Sequence, residues 1–573
     1  MNILRVNLQN NTIESKLASE EWKALGGRAL ISRILLDEVD PTCNPLGPNN
    51  KLIVAPGLLG GTTVSCVNRI SIGGKSPLTG TIKESNAGGV TGYKLARLGI
   101  KAIIFEGIPE EIKTQILYIS DQKTELLPAD DYKGLGVYET AEKLKYKFNS
   151  KIGMIINGFG GERLYKSAGI ANADKDGVPS RYSGRGGLGA VMGSKGIKAV
   201  VIDDANSQGV DIENDELFKI TRTAITQTIL GNEAVANSYT KLGTAGTVNL
   251  TNALGALPTR NFSNGIFEGA NNINGDKLYE LITTRKGEGN SSHACMPGCL
   301  IKCSNIFPDE QGKTIVSPLE YETIGLLGSN LGIDNLDIIG KFNYICNDMG
   351  LDTIEVGGAI GVAMEAGIIS FGDSEGVLNL FEEIRKDTYL GKIIASGAST
   401  IGAVLGVQRV PVVKGQTMAA YDPRAIKGLG VTYATSPQGA DHTAGQTLRA
   451  PVDHSKPEGQ VEASKKAQVM NTIHDSMGTC IFLGSGINGN VQLLADLYSA
   501  MSGEPCGLED LKQMSMEALL REREFNKGAG FNAAHDRLPE YFYSEVNPAS
   551  KTVFDVDQEE MLKIFEFEET SKS

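Results

Sequence analysis

Three cysteines, Cys295, Cys299 and Cys303, are spaced four residues apart in the run His293-Ala-Cys-Met-Pro-Gly-Cys-Leu-Ile-Lys-Cys303. A fourth closes the distant segment Asp475-Ser-Met-Gly-Thr-Cys480. A tight triplet plus one remote thiolate is how a chain wraps a 4Fe-4S cube, which moves electrons one at a time. Structural zinc more often pairs its cysteines two and two. Four unrelated buried thiols are the plain alternative, because free cysteine is a common core residue. Pro297 and Gly298 argue against a continuous helix, so a loop around the cluster is expected. Cys43, Cys66, Cys346 and Cys506 stand isolated and read as core.

Four further segments carry candidate chemistry. Ser183-Gly-Arg-Gly-Gly-Leu-Gly-Ala-Val-Met-Gly-Ser-Lys195 holds a literal G-x-G-x-x-G at Gly184, Gly186 and Gly189. The stretch before it, Asn172 to Ser183, is polar and turn-like, so the strand that a dinucleotide fingerprint needs is missing. Backbone N–H groups with Arg181 and Arg185 still suit an anion cradle. Arg69 and Lys75 are cations near glycine turns, with Ser85-Asn-Ala-Gly-Gly89 close behind. Asn347-Asp-Met-Gly-Leu-Asp352 and Asp475-Ser-Met-Gly-Thr-Cys480 are alike: each puts an acceptor side chain before a glycine turn, and two such turns could grip a heterocycle from opposite sides. Each alone is only a helix C-cap. Glu322 in Glu320-Tyr-Glu322 and His442 in Ala440-Asp-His-Thr-Ala444 are the usual residue types for proton transfer.

The elements that position these residues follow from composition and periodicity. With 573 residues the chain is long enough for three or four domains at roughly 150 residues each. Its net charge of −13 and its lack of a basic block argue against nucleic-acid or anionic-membrane partners. No stretch reads as a membrane span or a signal peptide, and eight cysteines in this length are no disulfide framework, so a cytoplasmic location is expected. Residues 1–208 read as β-rich, with short apolar runs such as Leu52–Ala55, Ala102–Phe105 and Ala199–Ile202 between glycine-containing turns. Beyond them the helical period takes over: Val377, Leu380, Phe381 and Ile384 share a face, and Asp215–Leu230 and Thr353–Ile369 read as helices. The expected organisation is α+β, with domains at 1–208, 209–410 and 411–573. No internal repeat is visible.

These residues together resemble the aldehyde:ferredoxin oxidoreductase family. The anchors are Lys75-Ser-Pro-Leu-Thr-Gly80, Gly184 to Lys195, Glu320-Tyr-Glu322, Leu327-Gly-Ser-Asn-Leu-Gly-Ile333, Tyr421-Asp-Pro-Arg424 and Asp475 to Cys480, and the likeness runs to about residue 545. The resemblance implies a two-sheet β saddle under two mostly helical domains. It implies tungsten or molybdenum in a bis-pterin cofactor, one 4Fe-4S cluster on Cys295, Cys299, Cys303 and Cys480, and a Mg2+ ion bridging pterin phosphates. By resemblance Arg69 lies between cluster and pterin. Asn86, Ala87, Gly88, Gly89, Arg181, Gly184, Arg185 and Gly186 form the pterin and phosphate region. Asn347, Gly350, Leu351 and Asp352, with Asp475, Gly478 and Thr479, are the paired pterin-gripping turns, and Glu322 with His442 is the acid–base pair.

The implied activity is oxidation of an aldehyde, with ferredoxin or an iron–sulfur subunit as electron acceptor. Reduction of an aromatic thioester of the benzoyl-CoA type, within the same family, and a non-catalytic metal-stabilised binding subunit are the alternatives. Two departures stand out: the triplet is spaced three-then-three where the family has two-then-three, and Asn347 replaces an aspartate. No Glu-x-x-His occurs, so a homodimer would lack the bridging iron some members carry.

Overall fold

The computed structural model describes residues 1–567. Its N-terminal part contains two six-stranded sheets. The first comprises β1 (Asn2–Asn7), β2 (Thr12–Leu17), β3 (Leu52–Pro56), β4 (Ile70–Lys75), β5 (Ile82–Ala87) and β6 (Ile100–Glu106). The second comprises β7 (Gln115–Ser120), β8 (Thr124–Pro128), β9 (Gly153–Asn157), β10 (Ile170–Asn172), β11 (Arg181–Ser183) and β12 (Ile197–Asp203). The spatial orders are β2-β1-β6-β3-β4-β5 and β8-β7-β12-β9-β10-β11. Each opens with a hairpin, sets the hairpin's first strand parallel to the last strand, and runs antiparallel through the other three. The N-terminal region is therefore an internal structural repeat, contrary to the sequence reading. The repeat preserves strand pairing, which side-chain identity does not report.

Apolar runs form these strands because both faces of each sheet are covered. Leu52 and Val54 pack inward with Leu4, Ile103 and Phe105, and meet Leu117, Ile155, Val200 and Ile202 of the second sheet. Their neighbours Ile53 and Ala55 point the other way, onto Ile31, Ile34 and Leu35 of the helix Gly27–Glu38 and onto Phe525 of the helix Leu508–Gly528. The outer face of the second sheet takes Val137, Ala141 and Leu144 of the helix Val137–Lys147. The strands β5 and β11 run beside each other, with Gly186 after β11 lying over Lys83 of β5 and Gly89 after β5 lying against Ala173.

Residues beyond 210 are mostly helical. Asp215–Leu230 forms a helix with the expected bounds, Ser374–Arg385 buries Val377, Leu380, Phe381 and Ile384, and Thr353–Glu365 stops four residues short of the expected end. One hydrophobic cluster draws on residues from both sides of position 410, among them Phe342, Ile360, Leu429 and Phe554. No helix of the described residues is long and apolar enough to cross a membrane.

The two ends of the chain are joined by a buried ion pair. Arg28 donates to Glu522 from Nε and Nη2, both at 2.8 Å, and each side chain is 2% exposed. Glu522→Ala leaves Arg28 facing only Asp475 at 3.5 Å. A broken buried pair costs about 3–5 kcal/mol, so chemical denaturation of this variant should show a loss of that order. A loss below about 1 kcal/mol would mean the pair does not hold the two helices together.

Candidate functional site

The cysteine triplet lies in a loop, as Pro297 and Gly298 predict. Its base is a hairpin of Asn290–His293 with Ser304–Pro308, and Gly298 has φ +72°. His293 Nε2 meets Asp176 at 2.8 Å at that base. Arg181 spans the same base, donating to Ser304 Oγ at 2.6 Å and facing Glu320 at 3.4 Å. Cys480 stands after the turn of the other segment, and its N–H donates to the carbonyl of Cys66 at 2.8 Å. Burial pushes Cys295 up to about 12, partly offset by Arg181, and Cys303 rises with burial and with Cys480 and Cys295 nearby. The Cys66 contact, working against burial, holds Cys299 down to about 6. Among the described residues no three of these sulfurs lie within 4.8 Å of one another. A preformed zinc tetrathiolate, with Zn–S near 2.3 Å, needs its sulfurs about 3.8 Å apart. A cube gives each of its four ligands a separate iron, so its sulfurs need not approach so closely.

Cys66, read from the sequence as isolated core, is the correction here. Its Sγ lies 3.6 Å from Cys299 Sγ, 233 residues away in sequence. No local motif announces it, because only tertiary folding brings the β3–β4 loop to the triplet.

The two glycine turns sit at matching places on the two sheets. The helix Leu336–Met349 ends at Gly350, φ +72°, and the helix Gln460–Met477 ends at Gly478, φ +74°. A Cβ on Gly350 would lie 2.9 Å from Cα of Gly158, just after β9, and one on Gly478 would lie 2.9 Å from Cα of Gly57, just after β3. Both positions need glycine twice over, for the left-handed backbone and for the close approach. Asn347 accepts from Tyr182 Oη through its carbonyl at 2.6 Å and lies 3.3 Å from Tyr138 Oη. Leu351 donates back to Cys346, Asp352 caps the helix Thr353–Glu365, and Thr479 Oγ1 meets His474 Nδ1 at 2.7 Å. Burial raises the Asp475 carboxyl to about 6, with Arg28 and Arg69 pulling the other way.

Arg69 connects the second turn to the cysteines. Its N–H donates to Gly478 O at 2.9 Å, and its guanidinium reaches Asn86 Oδ1 and, at 3.2 Å, Asn86 O. Ala87 ends β5. A Cβ on Gly88 would meet Cys295 Sγ at 3.2 Å and Arg69 Nη1 at 3.5 Å, and Gly89 turns at φ +116° against the Ala173 carbonyl. By contrast, Lys75 points away, donating to Pro41 and Cys43 carbonyls.

The segment before Gly184 does contain a strand, β11, which the polar stretch conceals. That strand pairs antiparallel with β10, so the loop is not the parallel β-α-β unit of a dinucleotide fingerprint. Gly184 packs on Gly169, and Gly186 lies over Lys83, where a Cβ would fall 2.4 Å from Cγ. Arg185 serves protein acceptors through all three nitrogens: Asp352 at 3.3 Å, the Ala440 carbonyl at 2.7 Å and the Thr417 carbonyl.

Glu322, in the first turn of Tyr321–Leu327, and His442, beside Asp441, come together with Oε1 and Nε2 3.4 Å apart. Ala420 N–H donates to Glu322 Oε2 at 2.8 Å, and the Tyr421 ring lies 5.8 Å from the His442 ring. Burial raises the Glu322 carboxyl, with His442 opposing. Glu322 Oε1, His442 Nδ1, Arg181 Nε and Glu84 Oε1 are buried without a hydrogen-bond partner. Glu84 itself is pushed up to about 8 by burial and then by Asp475. Buried polar atoms left unpaired are rare in a folded protein, and these four belong to residues beside the cysteine loop, Asp475 of the second turn and the Glu322–His442 contact. They fit a polar ligand there.

Sequence reasoning also missed Lys83, which is fully buried and paired with Asp441 at 2.6 Å. Burial opposes ionisation of Asp441, but Lys83, Arg185 and His442 hold its carboxyl far below the usual range. A depressed carboxyl contributes stability above its ordinary range near pH 4 and loses it as pH falls below that. Asp441→Asn should therefore destabilise by about 3–5 kcal/mol at pH 7, because Lys83 loses its buried partner. The difference from wild type should shrink as unfolding is measured towards pH 3; a constant difference would show that this charge pair is not its source.

Comparisons with known proteins show the family. Residues 3–204 match the family described as aldehyde ferredoxin oxidoreductase, N-terminal domain, and residues 220–565 match its domains 2 and 3. A tungsten-containing aldehyde ferredoxin oxidoreductase of Thermococcus kodakarensis is 34% identical over 95% of this chain and 91% of its own length. One of Pyrococcus furiosus is 32% identical over the same shares. An aliphatic sulfonate oxidoreductase, WOR-like subunit, also of Pyrococcus furiosus, is 26% identical over 78% of this chain and 75% of its own. The solved active site complex BamBC of benzoyl coenzyme A reductase shares the fold, with TM-score 0.81, 20% identity and coverage of 98% of this chain and 93% of that one. The chain is an oxidoreductase of the aldehyde ferredoxin oxidoreductase family.

Proposed function

We propose that this chain is a tungsten-dependent bis-pterin oxidoreductase that converts an aldehyde to a carboxylate. The observation that carries the reading is the Glu322–His442 contact at 3.4 Å, with one unpaired buried atom on each partner. The relatives at 32–34% identity support tungsten and the aldehyde. The two glycine turns and Arg69 would hold the pterins, and Cys295, Cys299, Cys303 and Cys480 would hold the cluster. When bound, the metal cofactor supplies the oxidation, taking up two electrons as aldehyde and water become carboxylate.

This chain's residues handle the protons. His442 donates to the carbonyl oxygen of the substrate, while Glu322 Oε1 accepts a proton from the water that adds to the carbonyl carbon. The Ala420 N–H keeps Oε2 occupied and so directs Oε1 towards the substrate. Arg69 lies between Gly478 and the Gly88–Cys295 approach and would place a cation between a pterin and a cluster held there, with ferredoxin or an iron–sulfur subunit as the acceptor of the electrons.

Elemental analysis of anaerobically purified protein tests the cofactor reading. About one tungsten and about four irons per chain are expected; zinc alone would sink it. An aldehyde screen with a viologen acceptor, run beside an aromatic CoA thioester with a low-potential donor, separates aldehyde oxidation from ring reduction. Glu322→Gln should keep both metals and lose turnover by about 100-fold or more, and near-normal turnover removes Glu322 from the mechanism. Because burial raises this carboxyl and the base must be ionised, kcat should rise with pH through a value above the ordinary carboxylate range. Cys480→Ser should lose the cluster, and a full iron count in that variant would reject the ligand set.

A further inference from the structure

Cys66 touches both halves of the cysteine set through different atoms. Its carbonyl accepts from Cys480 N–H at 2.8 Å, and its Sγ lies 3.6 Å from Cys299 Sγ. It is 1% exposed and sits at φ +63°, with Asn68 two residues on at φ +82°. Left-handed backbone is unfavourable for a residue with a side chain and persists only where its surroundings hold it. Asn68 supplies that hold, accepting from Gly61 N–H at 2.7 Å and donating to Thr62 O at 3.0 Å. Ser65 completes the contact: its Oγ accepts from Leu300 N–H at 3.0 Å and lies 3.3 Å from Cys66 Sγ.

Cys295, Cys299, Cys303 and Cys480 already supply one thiolate for each iron of a cube, so Cys66 is not needed as a ligand and lies 3.6 Å from Cys299 Sγ instead. A thiolate bound to iron carries no proton, so the hydrogen in this contact belongs to Cys66. We propose that Cys66 is a positioning residue that donates an S–H hydrogen bond to the Cys299 thiolate of the cluster, making the cluster easier to reduce. The proposal rests on the cluster reading given above. Hydrogen bonds to a cluster's sulfurs favour its electron-rich state and so tune its potential. The Ser65 hydroxyl, with its oxygen taken by Leu300 N–H, turns its own proton to Cys66 Sγ and strengthens the chain by polarisation.

The test is a redox titration of the whole protein, purified without oxygen and followed by the paramagnetic signal of the reduced cluster. Wild type is compared with Cys66→Ala, Cys66→Ser and Ser65→Ala. All four should hold about four irons per chain. At an ambient potential fixed at the wild-type midpoint, Cys66→Ala should lower the reduced-to-oxidised ratio about two- to tenfold, the range for one net hydrogen bond. Cys66→Ser, which restores a donor, should recover most of that change, and Ser65→Ala should shift the ratio the same way by less. An unchanged ratio in Cys66→Ala with full iron overturns the proposal and leaves Cys66 a filler. Iron loss in Cys66→Ala overturns it in favour of a ligand. Wild-type protein without iron overturns the cluster reading itself, which separates that failure from the other two.

Discussion

Two backbone-to-backbone contacts set the frame of the site. Gly478 lies against Gly57 and Gly350 against Gly158, at equivalent ends of β3 and β9. Each contact joins the C-terminus of a long helix to the end of a central strand, at a distance no side chain tolerates. The sheets thereby fix where Asp475 and Asn347 stand, and through them where Cys480 and Asp352 stand. The repeat of the sheet topology makes the two contacts a matched pair, one on each sheet. Arg69, just before β4, then ties the second turn to Asn86, and Arg185, just after β11, ties Asp352 of the first turn to the His442 loop.

Buried charge pervades the site. An acidic chain places Arg28, Lys83, Arg181 and Arg185 inside it, each beside a carboxylate from a distant segment. Removing such groups from water is costly, and it is offset only when the partner and further hydrogen bonds are in place. Asp441 shows the balance falling towards the ionised form, because cations surround it. Glu322, Glu84 and Asp475 show burial winning over their nearby cations. Carboxyls pushed in opposite directions within one site are the arrangement that catalytic sites use to separate structural from proton-transferring groups.

Much of this was legible in the residues. The triplet with its remote partner, the two glycine turns, and Glu322 with His442 were each visible as local patterns, and the structure brings these patterns to one region. Local patterns can be read because a turn or a loop is built from neighbours in sequence. Cys66 and Lys83 could not be read: a lone cysteine in a loop and a lysine in a strand have no local signature, and their partners lie 233 and 358 residues away. The doubled sheet was hidden for a related reason. Backbone pairing repeats between the halves, while the side chains filling each half differ.

The sequence by itself determined the family, the α+β character, the cysteine ligand candidates and the residues able to move protons, since each rests on residue type and short spacing. Only the tertiary structure decided that Cys66 joins the cysteine set, that Lys83 neutralises Asp441, and that Arg185 answers to Asp352 and two carbonyls. Those pairings depend on loop and strand ends meeting across hundreds of residues. Packing of the two sheets and the helix ends sets them, and no local rule encodes that packing.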